Sequence, residues 1–188
     1  MKLRDLVTGA LLGVGLAALS FTVAARAADG SRDEEAIRAI EHKVVVAKTA
    51  DEVMQYCDKD IVLYDVVTPL RYVGYKAVRD HMEAVYYSKE PKDIKVDFLS
   101  LKVLADGNLG VAYSIQHFTW KESGQSREMT VRQTDVYRKL GGEWKVIQSH
   151  ISVPVDSKTG SSPDELAPIG QTVGIQNPME DQNRIKAA

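Results

Sequence analysis

Apolar and polar residues alternate in two runs, Met129–Lys139 and Glu143–Val153, on either side of Gly141-Gly142. Adjacent glycines accept the positive φ of a two-residue turn, so the segment predicts a β-hairpin. In the first run Thr130, Arg132, Thr134 and Val136 point one way, and Val131, Gln133, Asp135 and Tyr137 the other. In the second run Trp144, Val146, Gln148, His150 and Ser152 share a face. Both faces mix polar with apolar side chains, which predicts a sheet that is solvated or that lines a polar cavity. Two further strands precede the hairpin, Ile94–Leu104 and Leu109–Lys121, with turns at Ala105-Asp106-Gly107-Asn108 and Glu122-Ser123-Gly124-Gln125.

The first half of the chain has a different period. Ile37, Ile40 and Val44 follow helical spacing, behind Ser31 as a cap with Glu34 at capping-box distance. Thr49 or Asp51 would cap a short second helix, Glu52–Cys57, and Asp58-Lys59-Asp60 reads as a turn. Ile61–Asp65 is a β-branched-rich strand, and Arg71–Gly74 briefly resumes it. A third helix, Tyr75–Tyr87, carries the stripe Ala77, Val78, His81, Met82 and Val85. Helices first and a meander afterwards predict an α+β fold, with a curved antiparallel sheet and helices on one face.

The ends read differently. Lys2 and Arg4 precede the apolar run Leu6–Val23 and the small-residue site Ala25-Arg26-Ala27, which predicts a signal peptide over residues 1–27. The expected mature chain is a domain over 28–154 followed by an extended tail, 155–188, with Pro163, Pro168 and Pro178. Such a protein would be periplasmic or secreted, without stable membrane association once cleaved. The formal net charge is −2, and losing three basic and one acidic residue takes it to −4. A mildly acidic chain with no nucleic-acid motif gives no reason to expect a nucleic-acid partner. The single Cys57, beside Met54, Tyr56 and Ile61, reads as a buried thiol rather than a nucleophile.

Several ordered segments carry a resemblance. They are D-E-E-A-I-R-A-I at 33–40, Y-C-D-K-D at 56–60, V-L-Y-D at 62–65, G-Y-K-A-V-R-D-H at 74–81, and the whole hairpin 131–152 with its G-x-W turn and closing H-x-S. In this order they resemble the nuclear transport factor 2-like superfamily, and within it the SnoaL-like and ketosteroid-isomerase-like proteins. The resemblance implies a cone: a strongly curved antiparallel sheet packed on three N-terminal helices, enclosing a cavity, usually as a homodimer. It places Asp65 where ketosteroid isomerases carry a general-base aspartate. Thr134 falls where their protonated aspartate would stand, and no Tyr lies near Ile40 to complete the donor pair. The fold hosts enzymes, binding modules and assembly domains alike, so the residues must decide.

The candidate site residues are Asp65 and His150 for catalysis, with Tyr64, His81, Tyr113, His117, Arg132 and Thr134 for substrate binding. His150 titrates near neutrality and could act as acid, base or donor, or be a satisfied core histidine. Arg132 would pair with Asp65 or clamp a ligand carboxylate. His42, His81, His117 and His150 have no metal-ligand spacing, so neither metal nor cofactor is expected. Three functions stay open: binding of a small organic molecule with proton-transfer chemistry, a non-catalytic interaction module, and a ketosteroid-isomerase-type enzyme with Asp65 as base. The expected dimer contact is the outer sheet face, assigned to Val131 and Tyr137 with Phe118 or Trp120.

Overall fold

The computed structural model describes residues 30–87 and 94–160. The signal-peptide expectation and the tail beyond Gly160 lie outside the described residues. Helix α1 spans residues 30–45. It is followed by α2 (Ala50–Met54), β1 (Cys57–Tyr64), β2 (Tyr72–Val73), α3 (Tyr75–Val85), β3 (Lys95–Asp106), β4 (Leu109–Glu122), β5 (Gln125–Leu140) and β6 (Glu143–Ser152). The α+β order is the expected one, with three corrections of detail. Ser31 lies inside α1 rather than capping it. The second helix starts earlier, capped by Thr49, whose Oγ1 accepts from the Glu52 N–H at 3.2 Å. Asp58, Lys59 and Asp60 belong to β1, not to a turn.

The six strands form one sheet in the order β2-β1-β6-β5-β4-β3. Strands β1 and β6 are parallel, so the sheet is mixed rather than wholly antiparallel; the other neighbours are antiparallel. Gly141 and Gly142, at φ 59° and 91°, make the two-residue turn between β5 and β6. The ladder is irregular at two places that bend it. Leu99 is extra in β3 opposite β4, and Ile147 is extra in β6 opposite β5. An extra residue in one strand breaks the local pairing and increases twist, which curls long strands around the helices.

Helix α1 is held across the concave face. Ile37 is fully buried and Ile40 nearly so. Ile37 fits because β4 carries Gly110 beneath it: a Cβ there would come within 2.3 Å of Ile37 Cδ1. At its N-terminal end, Asp33 accepts from Lys139 Nζ at 2.6 Å and from Trp144 Nε1 at 3.1 Å, tying α1 to the hairpin. The Lys139 hydrogen bond, above all, holds the Asp33 carboxyl below its usual range. Arg79 of α3 grips Asp51 of α2 through both carboxylate oxygens, at 2.6 and 3.0 Å. The core formed between helices and sheet includes Met54, Ile61, Leu63, Val78, Tyr137 and Val146.

Candidate active site

A cavity of about 590 Å3 lies between the concave sheet face and the helices. Its walls are largely apolar, with Val44 and Val45 from α1, Met82 from α3, Val96 from β3, Phe118 from β4 and Ile151 from β6. One patch is polar. It is built by Gln116 of β4, Gln133, Asp135 and Tyr137 of β5, and Ser149 of β6.

Behind this patch stands Glu41 of α1, 2 % exposed, whose Oε1 accepts from the Tyr137 hydroxyl at 2.7 Å. Gln133 Nε2 donates to Asp135 Oδ2 at 2.7 Å, and the Gln116 amide donates to Ser114 Oγ at 2.9 Å. Burial raises the Asp135 carboxyl to about 6, against hydrogen bonds from Ser149, Gln133 and Glu41 that pull it back. Burial pushes Glu41 well above the usual carboxylate range, and the Asp135 charge pushes it further. Two adjacent buried carboxyls cannot both ionise, so Glu41 keeps its proton and Asp135 is the one that titrates. Burial also raises the Tyr137 hydroxyl, which remains a donor. The arrangement is therefore a base with a neutral acid and a neutral phenol beside it. That is the equipment for moving a proton within a largely apolar pocket.

A second cluster lies where β1 ends and α3 packs. His81 Nε2 is 2.5 Å from Asp65 Oδ2, and their side chains are 3 % and 0 % exposed. The Tyr86 hydroxyl donates to both Asp65 oxygens, at 3.3 and 3.1 Å, and the Val66 N–H donates to Oδ1 at 2.6 Å. Tyr72 stacks on the His81 ring with centroids 3.9 Å apart. Burial, and then the Asp65 charge, raise the Tyr86 hydroxyl, so it keeps the proton it donates. Tyr86 also lines the cavity, so this cluster forms part of its wall.

Of the residues singled out in the sequence, Asp65 and His81 thus come together. The others do not join them. Tyr64, Tyr113, His117, Arg132, Thr134 and His150 lie on the convex side of the sheet. Tyr113 pairs with Thr134, Thr134 with His150, and Tyr64 with His150 across four neighbouring strands. Tyr64 and His150 meet edge to face at 5.6 Å, and His117 Nδ1 is 3.2 Å from Thr130 Oγ1. The shared pocket of Asp65, Arg132 and His150 is therefore corrected. Its physical cause is the bulge: Trp144 and Val146 face inward, but the extra Ile147 reverses the parity, so Ser149 faces in and His150 out. In β5 the inward set is Val131, Gln133, Asp135 and Tyr137, the opposite of the set taken for the pocket. Val131 and Tyr137, expected on the outer face, are each 1 % exposed, and Phe118 lines the cavity. Because Arg132 is exposed, Arg132→Ala should shift unfolding free energy by no more than about 0.5 kcal/mol, read as the urea midpoint. A loss of several times that would return Arg132 to the interior.

Sequence reasoning missed Glu41, Asp135 and Tyr137, yet a signal existed. Glu41 follows Ile37 by four residues and precedes Val44 by three, so an acid interrupts the apolar stripe of α1. Among the described residues no group of three or more His, Cys, Asp or Glu is placed to hold a metal ion. Cys57 lines the cavity, and burial pushes its thiol up to about 12, so it is not a ready nucleophile.

Residues 36–156 match the SnoaL-like domain family, and the chain belongs to it. No curated protein matches the sequence. Among solved structures, an NTF2-like protein of unknown function from Pseudomonas putida KT2440 is 26% identical, with a TM-score of 0.65 over 73% of this chain and 98% of that one. An NTF2-like protein with a cystatin-like fold from Novosphingobium aromaticivorans is 14% identical, with a TM-score of 0.59 over 73% and 92%. The association domain of CaMKII from C. elegans is 14% identical, with a TM-score of 0.52 over 65% and 96%. The same fold recurs in proteins named provisionally as a ketosteroid isomerase, an aromatic ring hydroxylase and a dehydratase. The fold is thus the NTF2-like cone that the sequence resembled.

Proposed function

We propose that this protein binds a small organic molecule in its cavity and that Asp135 serves as a general base toward it, with Glu41 and Tyr137 as neighbouring donors. The observation that carries this reading is Asp135 itself, a buried carboxyl on the polar patch of a largely apolar cavity of about 590 Å3. Cavities of this size hold drug-sized ligands, and a base poised near neutral pH suits proton abstraction. The site differs from that expected for an isomerase-type enzyme using Asp65 as base, because Asp65 is taken up by His81, Tyr86 and the backbone of Val66.

Occupancy is tested with Nile red, a neutral apolar dye whose emission rises in dry pockets. Saturable binding at one dye per chain is expected. It should vanish in Val96→Trp, which fills the cavity from β3. Equal binding by that variant, or none by the wild type, would sink the ligand-binding reading and favour an interaction module.

Two proposals concern the setting. Cleavage after Ala27 would export the domain, and the intact mass of protein from the host's envelope fraction reads it. A second copy would cover the convex sheet face, where Leu104, Tyr113 and Tyr64 are 49%, 43% and 38% exposed. Structures of this fold named as association domains make self-assembly a reasonable expectation. Light scattering at micromolar concentration should give twice the monomer mass, reduced toward the monomer by Tyr113→Lys. A wild-type monomer across that range would refute the dimer.

A further inference from the structure

Among the described residues that line the cavity, Asp135 and the exposed Lys48, in the connection between α1 and α2, are the only Asp, Glu, Lys, Arg or His side chains. None of the groups acting on Asp135 or Glu41 is a cation. Lys145, whose charge acts on the neighbouring Cys57, is engaged by the Gln55 carbonyl at 2.9 Å and by Glu143 at 2.9 Å. The remaining polar neighbours, Ser149, Gln133 and Tyr137, are neutral and are oriented by the two acids. A buried anion without a counter-charge is costly, and its cheapest partner is a cation brought in by a ligand. A carboxylate or phosphate would meet repulsion in the same place.

We infer that the cavity selects an organic amine, whose ammonium group seats against Asp135 and whose apolar body lies along Val44, Val96, Phe118 and Ile151. This rests on the reading of the cavity as a ligand site, not on Asp135 acting as its base, and adds the charge of the ligand to it. An ammonium also suits the geometry of the wall, since its N–H groups can be shared between the Asp135 oxygens and the Ser149 hydroxyl without displacing the Glu41 proton.

The experiment uses the whole mature chain and three probes of one shape: 4-phenylbutylamine, 4-phenylbutanol and 4-phenylbutyrate, each competing with Nile red at pH 7.5. The amine should bind at least tenfold more tightly than the alcohol, and the carboxylate most weakly of the three. The amine's advantage should fade below pH 6, where Asp135 takes up its proton, and should vanish in Asp135→Asn. If that variant fails to fold, the wild-type pH series alone carries the contrast. Alcohol binding as tight as amine binding overturns the charge preference and leaves the ligand site intact. Carboxylate binding tighter than both assigns recognition to Lys48 and likewise overturns it. If no probe displaces the dye in the wild type, the inference is refuted. Absence of dye binding altogether removes the ligand site and the inference with it.

Discussion

Asp135→Asn is expected to be more stable than the wild type and to lose its proton-transfer capacity. The Asp135 carboxyl is raised to about 6 in the folded chain from a reference value of 3.8. A raised acid favours folding while protonated, and that contribution is complete below the unfolded value. It is then lost as the pH climbs through the folded one, here between about pH 4 and 6. Roughly two pH units at 1.36 kcal/mol each put the cost of ionised Asp135 near 3 kcal/mol at pH 7.5. Asparagine removes that cost and can still accept from Gln133 and Ser149. The urea midpoint of the variant should therefore exceed that of the wild type at pH 7.5, by about 2–3 kcal/mol in free energy, and the two should converge near pH 4. A lower midpoint at pH 7.5 would mean that Asp135 is stabilised by a partner it does not show here.

The same substitution would remove the proposed base. A generic carbon acid, 5-nitrobenzisoxazole, reports this without knowledge of the natural ligand. Abstraction of its C3 proton breaks the N–O bond and releases a coloured cyanonitrophenolate. The wild type should accelerate this reaction with a rate that rises as Asp135 ionises near pH 6, and Asp135→Asn should lower it by about 10²–10⁴. Glu41→Gln should retain most of the rate, because Glu41 is already neutral. A rate untouched by Asp135→Asn would remove Asp135 from the role of base. Greater stability with less activity is the usual signature of a strained functional site.

The second large effect belongs to the other cluster. His81→Ala should cost about 3–5 kcal/mol, because it leaves the buried Asp65 without its main partner and opens a space beneath Tyr72. His81→Gln, whose amide can still donate toward Asp65, should recover part of that loss. Tyr86→Phe removes one donor from a carboxylate that keeps two, and should cost about 1 kcal/mol. Chemical denaturation with all three variants orders them. Equal midpoints for His81→Ala and the wild type would mean that the cluster contributes nothing to folding.

The sequence by itself determined the elements and their order. Alternation along Met129–Val153 and the Gly141-Gly142 turn required a hairpin, and the 3.6-residue spacing of Ile37, Ile40 and Val44 required a helix packed by that face. These signals are local, since each depends on neighbours a few residues away in the chain. The pairing of Asp65 with His81 was within reach, because a short strand and the next helix bring the end of one against the inner face of the other. What only the tertiary structure decided was which side of each strand faces the cavity. Alternation divides a strand into two sets but does not name the buried one when both sets are mixed. One extra residue, Ile147, moves His150 out and Ser149 in, and nothing local distinguishes Ile147 from its neighbours. The bulge arises where the long hairpin must curl over α1 and meet β1 in parallel, a demand set by packing at long range. For the same reason the acid pair was illegible: Glu41 and Asp135 lie 94 positions apart and become one site only when α1 is laid across β5.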